Sequence, residues 1–576
     1  MAGAMLGAAL LVAVTAAPRA PETSLVIGVG LLSVLLAVPP AIYVALRWRA
    51  LDPGVLGLLV LAAGGVGLIA AYLAAVWPYV HFPADVLIWS ESDYVNDIIK
   101  LRTGYPLYTS QVNNESFTYA PGSQVVTYVL AWLAGSPTSI AAYRVIQLVY
   151  TAAAALVATA CARQMVLLAL PAARFKHPAL WAAVWLPFAF LAASNSITDP
   201  FVYELHNDAL AQLITLVAYW LVLRYVTTND RRLLVPMVIV PALGFLVKQN
   251  LAALLGFYAL QVAVFQRPRS FRRAIWLVAA GAALLGLIQI LGVLVWGSNW
   301  VYWVITVLGS RGVSPLRFVQ HIFDAWPYFA LGLAGGLVLL RGRAFDRLLG
   351  PWLIWMGLLL LAAYSSATAW MLNHMGPGSL IAAVWFMAAL VRVWPIAIRA
   401  RGPRAMLLTW VRTGLAVAMV ALASHGLGMN WLPLDTLGAD AYRYTAEIQH
   451  EVSLGPTDRT LLDVGSWVYL DSGIVMKDRA PSIGERGYSE TGDFSGILAR
   501  INQKGYATIL VRGLHSPDFW YDESSWRHSS GIRAALLASY HETGQIRGVQ
   551  LPLGSLTTGD ANPYLLGDVS ILVPND

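Results

Sequence analysis

Apolar runs long enough to cross a hydrocarbon core of roughly 30 Å recur along the first 425 residues. They fall at about 3–17, 25–46, 55–77, 140–162, 178–195, 209–226, 233–247, 251–265, 274–296, 325–341, 348–366, 377–394 and 406–424. Backbone at membrane depth must satisfy its own hydrogen bonds, so runs of this kind fold as packed helices. Of the 576 residues, 58% are hydrophobic and 12% charged. The sequence therefore predicts a mostly α, polytopic transmembrane helical bundle of about 13 spans over residues 1–425, multi-pass in the cell membrane. The first run ends in small residues before Pro18, as a signal peptide does, but lacks a basic leading region.

The net charge of +7 does not point to nucleic acid, because the basic residues sit in short clusters between apolar runs. One alternate set of loops carries Arg47, Arg49, Arg163, Arg174, Lys176, Arg231, Arg232, Arg267, Arg269, Arg341, Arg343, Arg399 and Arg401 among others. The opposite set carries only Arg19, Lys100, Arg102, Lys248, Arg311 and Arg317. Positive residues mark the cytoplasmic side, so the second set faces outward. Cys161 is the single cysteine, which rules out an intrachain disulfide and reads as a small core residue.

After about residue 425 charges and glycines replace continuous hydrophobicity. Residues 426–576 are expected to form a soluble extracytoplasmic α/β domain. Its strands are placed at Thr460–Val464, Ala507–Val511, Gly548–Leu553 and Val569–Val573, and its helices near Asp440–Val452, Phe494–Gln503 and Gly531–Tyr540. The apolar stretch Gly122–Gly135 is too short to span and reads as a re-entrant or interfacial helix against the preceding polar loop.

Polar residues gather in the outward loops. The first contains Glu91, Asp93 and Asp97. Ser90 and Asp93 match a capping pattern, and Asp97 and Lys100 are one helical turn apart and can simply pair. Glu91 and Asp93 point in different directions on a helix, which makes Asp93 the first candidate to meet a substrate. The next outward loop carries Glu204, His206, Asn207 and Asp208, where Asn207 or Asp208 could equally be a helix N-cap. Lys248 and Gln249 form a polar break between two short apolar runs; Lys248 could snorkel or bind an anion such as phosphate. Asn373 and His374 stand just ahead of a later span.

The order of these features resembles the GT-C superfamily of integral-membrane glycosyltransferases, which use polyprenyl-phosphate sugars. The resemblance runs over about residues 85–395. It rests on the acid of the first outward loop, Gly104-Tyr-Pro-Leu-Tyr108, Tyr119-Ala-Pro121, His206-Asn-Asp208, Lys248-Gln249 and Asn373-His374. It implies a donor carried on a polyprenyl phosphate, a glycan, lipid or protein acceptor, and an extracytoplasmic active site. In the implied inverting reaction Asp93, with Glu91 beside it, takes the acceptor proton. Lys248, His374 and Arg311 would meet the donor phosphate. Tyr105, Tyr108, Tyr119, Glu204, His206, Asn207, Asp208, Gln249 and Asn373 would contact substrate, with aromatic packing the equal alternative for the tyrosines. No cofactor is required; a divalent metal on Glu204, His206 and Asp208 is allowed but not demanded. A lipid-linked oligosaccharide ligase is the nearest alternative, and a membrane transporter a more remote one.

Overall fold

The computed structural model describes residues 53–86, 90–170, 175–194, 203–369, 372–394 and seven positions within 411–420. In the C-terminal part it describes 437–454, 460–516 apart from 463 and 479, 519, 521, 529–549 and 567–576. The spans expected at 3–17 and 25–46 lie outside the described residues, and the one at 406–424 does so largely.

The apolar runs fold as helices: α1 Pro53–His81, α2 Glu91–Thr103, α3 Gly122–Leu133, α4 Ile140–Ala169, α5 Pro178–Ala193, α6 Asp208–Thr228, α7 Leu234–Phe245, α8 Leu254–Leu260, α9 Phe271–Trp296, α10 Pro315–Asp324, α11 Trp326–Leu339, α12 Arg343–Ala369 and α13 Gly376–Val393. Among the described residues six helices are long and apolar enough to cross a membrane, or seven if the pair α10 and α11, bent by 62°, forms one span. The count of 13 is not confirmed among the described residues, which leave out two of those runs and most of a third. The runs at 178–195, 233–247 and 251–265 become shorter apolar helices, broken where Lys248 and its neighbours turn the chain. The protein is nonetheless multi-pass, with apolar helix faces left outside the bundle, as Leu287, Ile290 and Leu294 are on α9.

Helix α3 is too short to span, as expected, and packs against the first polar loop through the bond from Gln124 to Asp97. It is amphipathic: Ser123, Gln124 and Thr127 are buried, whereas Val126, Val129, Trp132 and Leu133 are exposed. Its first residue is anchored to the turn ahead of Lys248, with Gly122 N donating to Leu246 O at 2.7 Å. A side chain at Gly122 would meet that carbonyl at 2.6 Å, so glycine alone permits the approach.

In the C-terminal part, helix α14 (Ala439–Leu454) precedes a four-stranded sheet with helices α15 (Ala480–Tyr488), α16 (Ser495–Asn502) and α17 (Ile532–Ser539). The strands are β1 (Thr460–Leu462), β2 (Ile509–Arg512), β3 (Tyr540–Ile546) and β4 (Val569–Pro574), in the order β1-β2-β4-β3. Only β1 and β2 run parallel; β4 is antiparallel to both neighbours. Three strands and three helices fall where the sequence places them. The fourth strand does not: Gly548 and Val549 have no regular structure, the rest of Gly548–Leu553 lies outside the described residues, and β3 occupies Tyr540–Ile546 instead. That edge strand carries His541, Glu542, Thr543 and Gln545 toward solvent, a charged edge of the kind that blocks unwanted pairing.

The C-terminal part sits on the first polar loop through a set of specific bonds. Asn96 exchanges two hydrogen bonds with the backbone of Met476, at 3.1 and 3.0 Å. Asp85 accepts from Ser466 N at 2.9 Å, and Ser92 O from the Ser466 hydroxyl at 2.7 Å. Asn114 donates to Asp478 at 3.1 Å and accepts from Arg486 at 2.8 Å.

Candidate active site

The first polar loop is held by a cation that the apolar pattern hid. Arg144, in the first turns of α4, places its Nε and Nη2 on the two oxygens of Glu91 at 2.9 and 2.5 Å. Its remaining donors go to the carbonyls of Tyr79, Phe82 and Ala84 at 2.6 to 2.8 Å. All five N–H groups are thereby used, and the carbonyls left over at the C-terminus of α1 find a cationic partner. Glu91 Oε1 also accepts from Leu205 N at 2.8 Å, which ties the second polar loop to the first. Glu91 is thus a clamp between α1, α2, α4 and the 203–207 turn.

Asp97 and Lys100 pair at 3.0 Å, as their spacing suggests, and Gln124 of α3 donates to the second Asp97 oxygen at 3.1 Å. Helix α2 ends where Gly104, at φ +74°, closes it onto Lys100 O. Ser90 occupies the N-cap position without a side-chain cap bond, and Asn207 does the same ahead of α6. The capping role weighed for Asn207 is replaced by a bond to Val247 O at 3.1 Å, which joins α6 to the Lys248 turn.

Asp208 is the hub of the second cluster. Lys248 ion-pairs with its Oδ1, Asn373 donates to Oδ2 at 2.7 Å, and His206 Nδ1 lies 2.5 Å from Oδ2. Residues from three separate stretches of sequence therefore meet on one carboxylate, and all four are buried. The extended backbone of Lys248, φ −151°, aims its side chain into the bundle. Gln249 leaves in another direction and donates to Thr118 O at 3.2 Å. Among the described residues, no group of three His, Cys, Asp or Glu side chains is placed to hold a metal ion.

Tyr94 connects the two clusters, and the sequence reading passed over it. Its ring lies 5.1 Å from that of His206 and is stacked on Tyr119 at 6.3 Å. Burial raises its phenol well above the ordinary range, and Tyr119, Asp208, Asp97 and Asp93 add to the shift. Asp93 itself is 2% exposed in the first turn of α2. Burial holds the His206 imidazole below its ordinary range against the opposing pull of Asp208. Glu204, buried beside these groups, contributes its charge to Arg144.

The remaining tyrosines divide. Tyr119 faces the site, its ring 6.4 Å from His206, and hydrogen-bonds Arg311. Tyr108 packs edge-on against Trp296 and Trp300 and donates to Tyr119 O at 2.6 Å, so it serves as packing. Tyr105 donates to Glu115 at 2.9 Å, and burial, then Glu115, pushes its phenol up to about 12. It lines an open cleft of about 480 Å³ together with Pro106, Gly473, Val475 and Lys477. Arg311, expected at a donor phosphate, is met by Glu485 of α15.

A small cavity of about 30 Å³ is lined by Lys248, His374, Asn250 and Thr215 together with Leu251, Leu254, Leu358 and Leu361.

No family model matches the chain. It is 28% identical over 359 residues, 58% of its length and 73% of the relative's, to a polyprenol-phosphate-mannose-dependent alpha-(1-2)-phosphatidylinositol mannoside mannosyltransferase of Mycobacterium tuberculosis. The crystal structure of ArnT from Cupriavidus metallidurans bound to undecaprenyl phosphate superposes with a TM-score of 0.53 at 12% identity, covering 88% of this chain and 97% of ArnT. The apo form of the same protein gives 0.50 at 13% identity over the same shares. The helical layer and the C-terminal sheet thus share the fold of ArnT, and the sequence is similar to that of a polyprenol-phosphate-mannose-dependent mannosyltransferase.

Proposed function

We propose that the protein moves a single sugar from a polyprenyl-phosphate donor to a hydroxyl of an extracytoplasmic glycan, lipid or protein, with inversion. The observation that carries this reading is the buried cluster of Lys248, Asp208, His206 and Asn373, with His374, Leu251, Leu254, Leu358 and Leu361 beside Lys248. A phosphate with an isoprenoid tail has that distribution of polarity: the head needs a cation and donors, the tail an apolar wall. The mycobacterial relative's name makes mannose the first donor to test, with arabinose the second.

In this mechanism Asp93 is the general base. It accepts the proton of the acceptor hydroxyl as that oxygen attacks the anomeric carbon; the bond from that carbon to the phosphate oxygen breaks, and polyprenyl phosphate departs. Asp93 lies in the first turn of α2 next to Tyr94, whose ring reaches His206 of the Asp208 cluster, and this favours it among the acids of this loop. Lys248 exchanges part of its contact with Asp208 for the leaving phosphate, and His374 lies beside it. His206, Asn373 and Tyr119 position sugar hydroxyls. The cation set supplies the charge that the leaving group needs, so no step is assigned to a metal. The scarcity of basic residues in the loops that carry the site supports an extracytoplasmic position for the site and the C-terminal part.

The test is transfer of radiolabelled sugar from polyprenyl-phosphate mannose, and separately arabinose, by the purified protein in lipid vesicles. Label in an acceptor with release of polyprenyl phosphate is expected. Transfer of a whole lipid-linked oligosaccharide, or uptake into vesicles without a new glycosidic bond, would reject the reading.

A further inference from the structure

The contact between Arg311 and Glu485 joins the proposed catalytic centre to the C-terminal part. Arg311 lies in the loop ahead of α10 and Glu485 on α15, and each side chain is only 5% exposed. On its other side the guanidinium meets Tyr119, whose ring faces Tyr94 and His206. Nη2 of Arg311 ion-pairs with Oε2 of Glu485, while Nε of Arg311 is buried without a hydrogen-bond partner. A buried guanidinium with an unused donor is a costly arrangement unless another acceptor takes it. A phosphate presents oxygens that can accept Nε and Nη2 together as a bidentate pair.

We infer that Glu485 is a resident counter-anion, holding the charge of Arg311 until the phosphate of the donor replaces it, so that donor binding is coupled to the seating of α15 on the membrane site. The inference rests on the polyprenyl-phosphate reading above and adds a residue outside the helical layer to it. The neighbouring bonds define what moves. Arg486 stays bonded to Asn114, and Asp478 to the same side chain, so the region around α15 keeps its tether while the Glu485 carboxylate turns away. Glu485 acts as a positioning residue: it sets the affinity for the donor and takes no proton in transfer.

Binding of undecaprenyl phosphate to the purified protein in detergent tests this. E485Q is isosteric and leaves Arg311 buried without its counter-charge, so it is expected to bind undecaprenyl phosphate about tenfold more tightly than the wild type. R311Q is expected to bind more weakly, and E485Q added to R311Q to produce no further gain. In the wild-type protein, saturating undecaprenyl phosphate is expected to speed amide hydrogen exchange across residues 480–488, a readout that does not depend on any variant folding. Unchanged or weaker binding by E485Q, or unchanged exchange in a wild type that binds the lipid, overturns the inference and leaves the donor reading standing. Absence of binding by the wild type overturns both.

Discussion

Glu91 and Arg144 form a bidentate pair, 2.9 and 2.5 Å between partner atoms, with neither side chain exposed at all. Removing one member of such a pair leaves the other charge buried and uncompensated, at a cost of about 3–5 kcal/mol. Glu91→Gln should therefore lower the melting temperature of the detergent-solubilised protein sharply, while whatever fraction folds retains turnover close to normal. A stable variant with turnover abolished would instead make Glu91 part of the chemistry.

The clamp also marks where sequence reading stopped. Lys248 and Asp208 were conspicuous because each interrupts apolar sequence on the side poor in basic residues. Their convergence, and the approach of Asn373, needed the fold, because the three come from α6, the Lys248 turn and the residues before α13. Arg144 gave a weaker signal: a single arginine inside an apolar helix looks like a residue near a membrane surface until the carbonyls at the end of α1 are placed against it. Tyr94 lies among the acids of the first polar loop, but an aromatic next to an acid has no spacing rule that singles it out. Strand β3 was missed because its outward residues are polar and its inward ones sparse, so the two-residue alternation was lost while a more apolar stretch followed it.

Asp208 separates two roles for Lys248. If the carboxylate only neutralises the lysine, Asp208→Asn would leave a free buried ammonium and bind donor phosphate more tightly. If it also aligns Lys248 and Asn373, the same change would scatter them. Because one oxygen serves Lys248 and the other Asn373, we expect alignment to dominate, with turnover falling about 100-fold and donor affinity within about threefold of normal. Lys248→Met, by contrast, should weaken binding of undecaprenyl phosphate about tenfold or more. Unchanged affinity in Lys248→Met would return this lysine to a purely structural pairing with Asp208.

His206 carries a pH signature. Burial depresses its pKa below the ordinary 6.5, with Asp208 opposing, so the folded protein keeps the imidazole neutral at a pH where the unfolded chain binds a proton. The stabilisation is therefore complete above pH 6.5 and declines as the pH falls through that value toward the folded pKa. Melting temperatures measured from pH 7.5 to 5.5 should fall further for the wild type than for His206→Gln, which has no proton to take up. Parallel curves for the two proteins would mean that His206 titrates as an ordinary exposed histidine.

Asp93→Asn is the sharpest test of the proposed base. The change is isosteric, Asp93 lies in the first turn of α2, and the clamp through Glu91 is left intact. Folding, melting temperature and affinity for undecaprenyl phosphate should stay close to normal. Turnover should fall by about 10²–10⁴, the range that a positioned general base contributes. A base must also lose its effect when the acceptor is already ionised, so an acceptor with a more acidic hydroxyl should narrow the gap between variant and wild type. A variant that transfers sugar at the wild-type rate, or a gap that ignores acceptor acidity, would move the proton to another group, with the carboxylates around Tyr94 the next to examine.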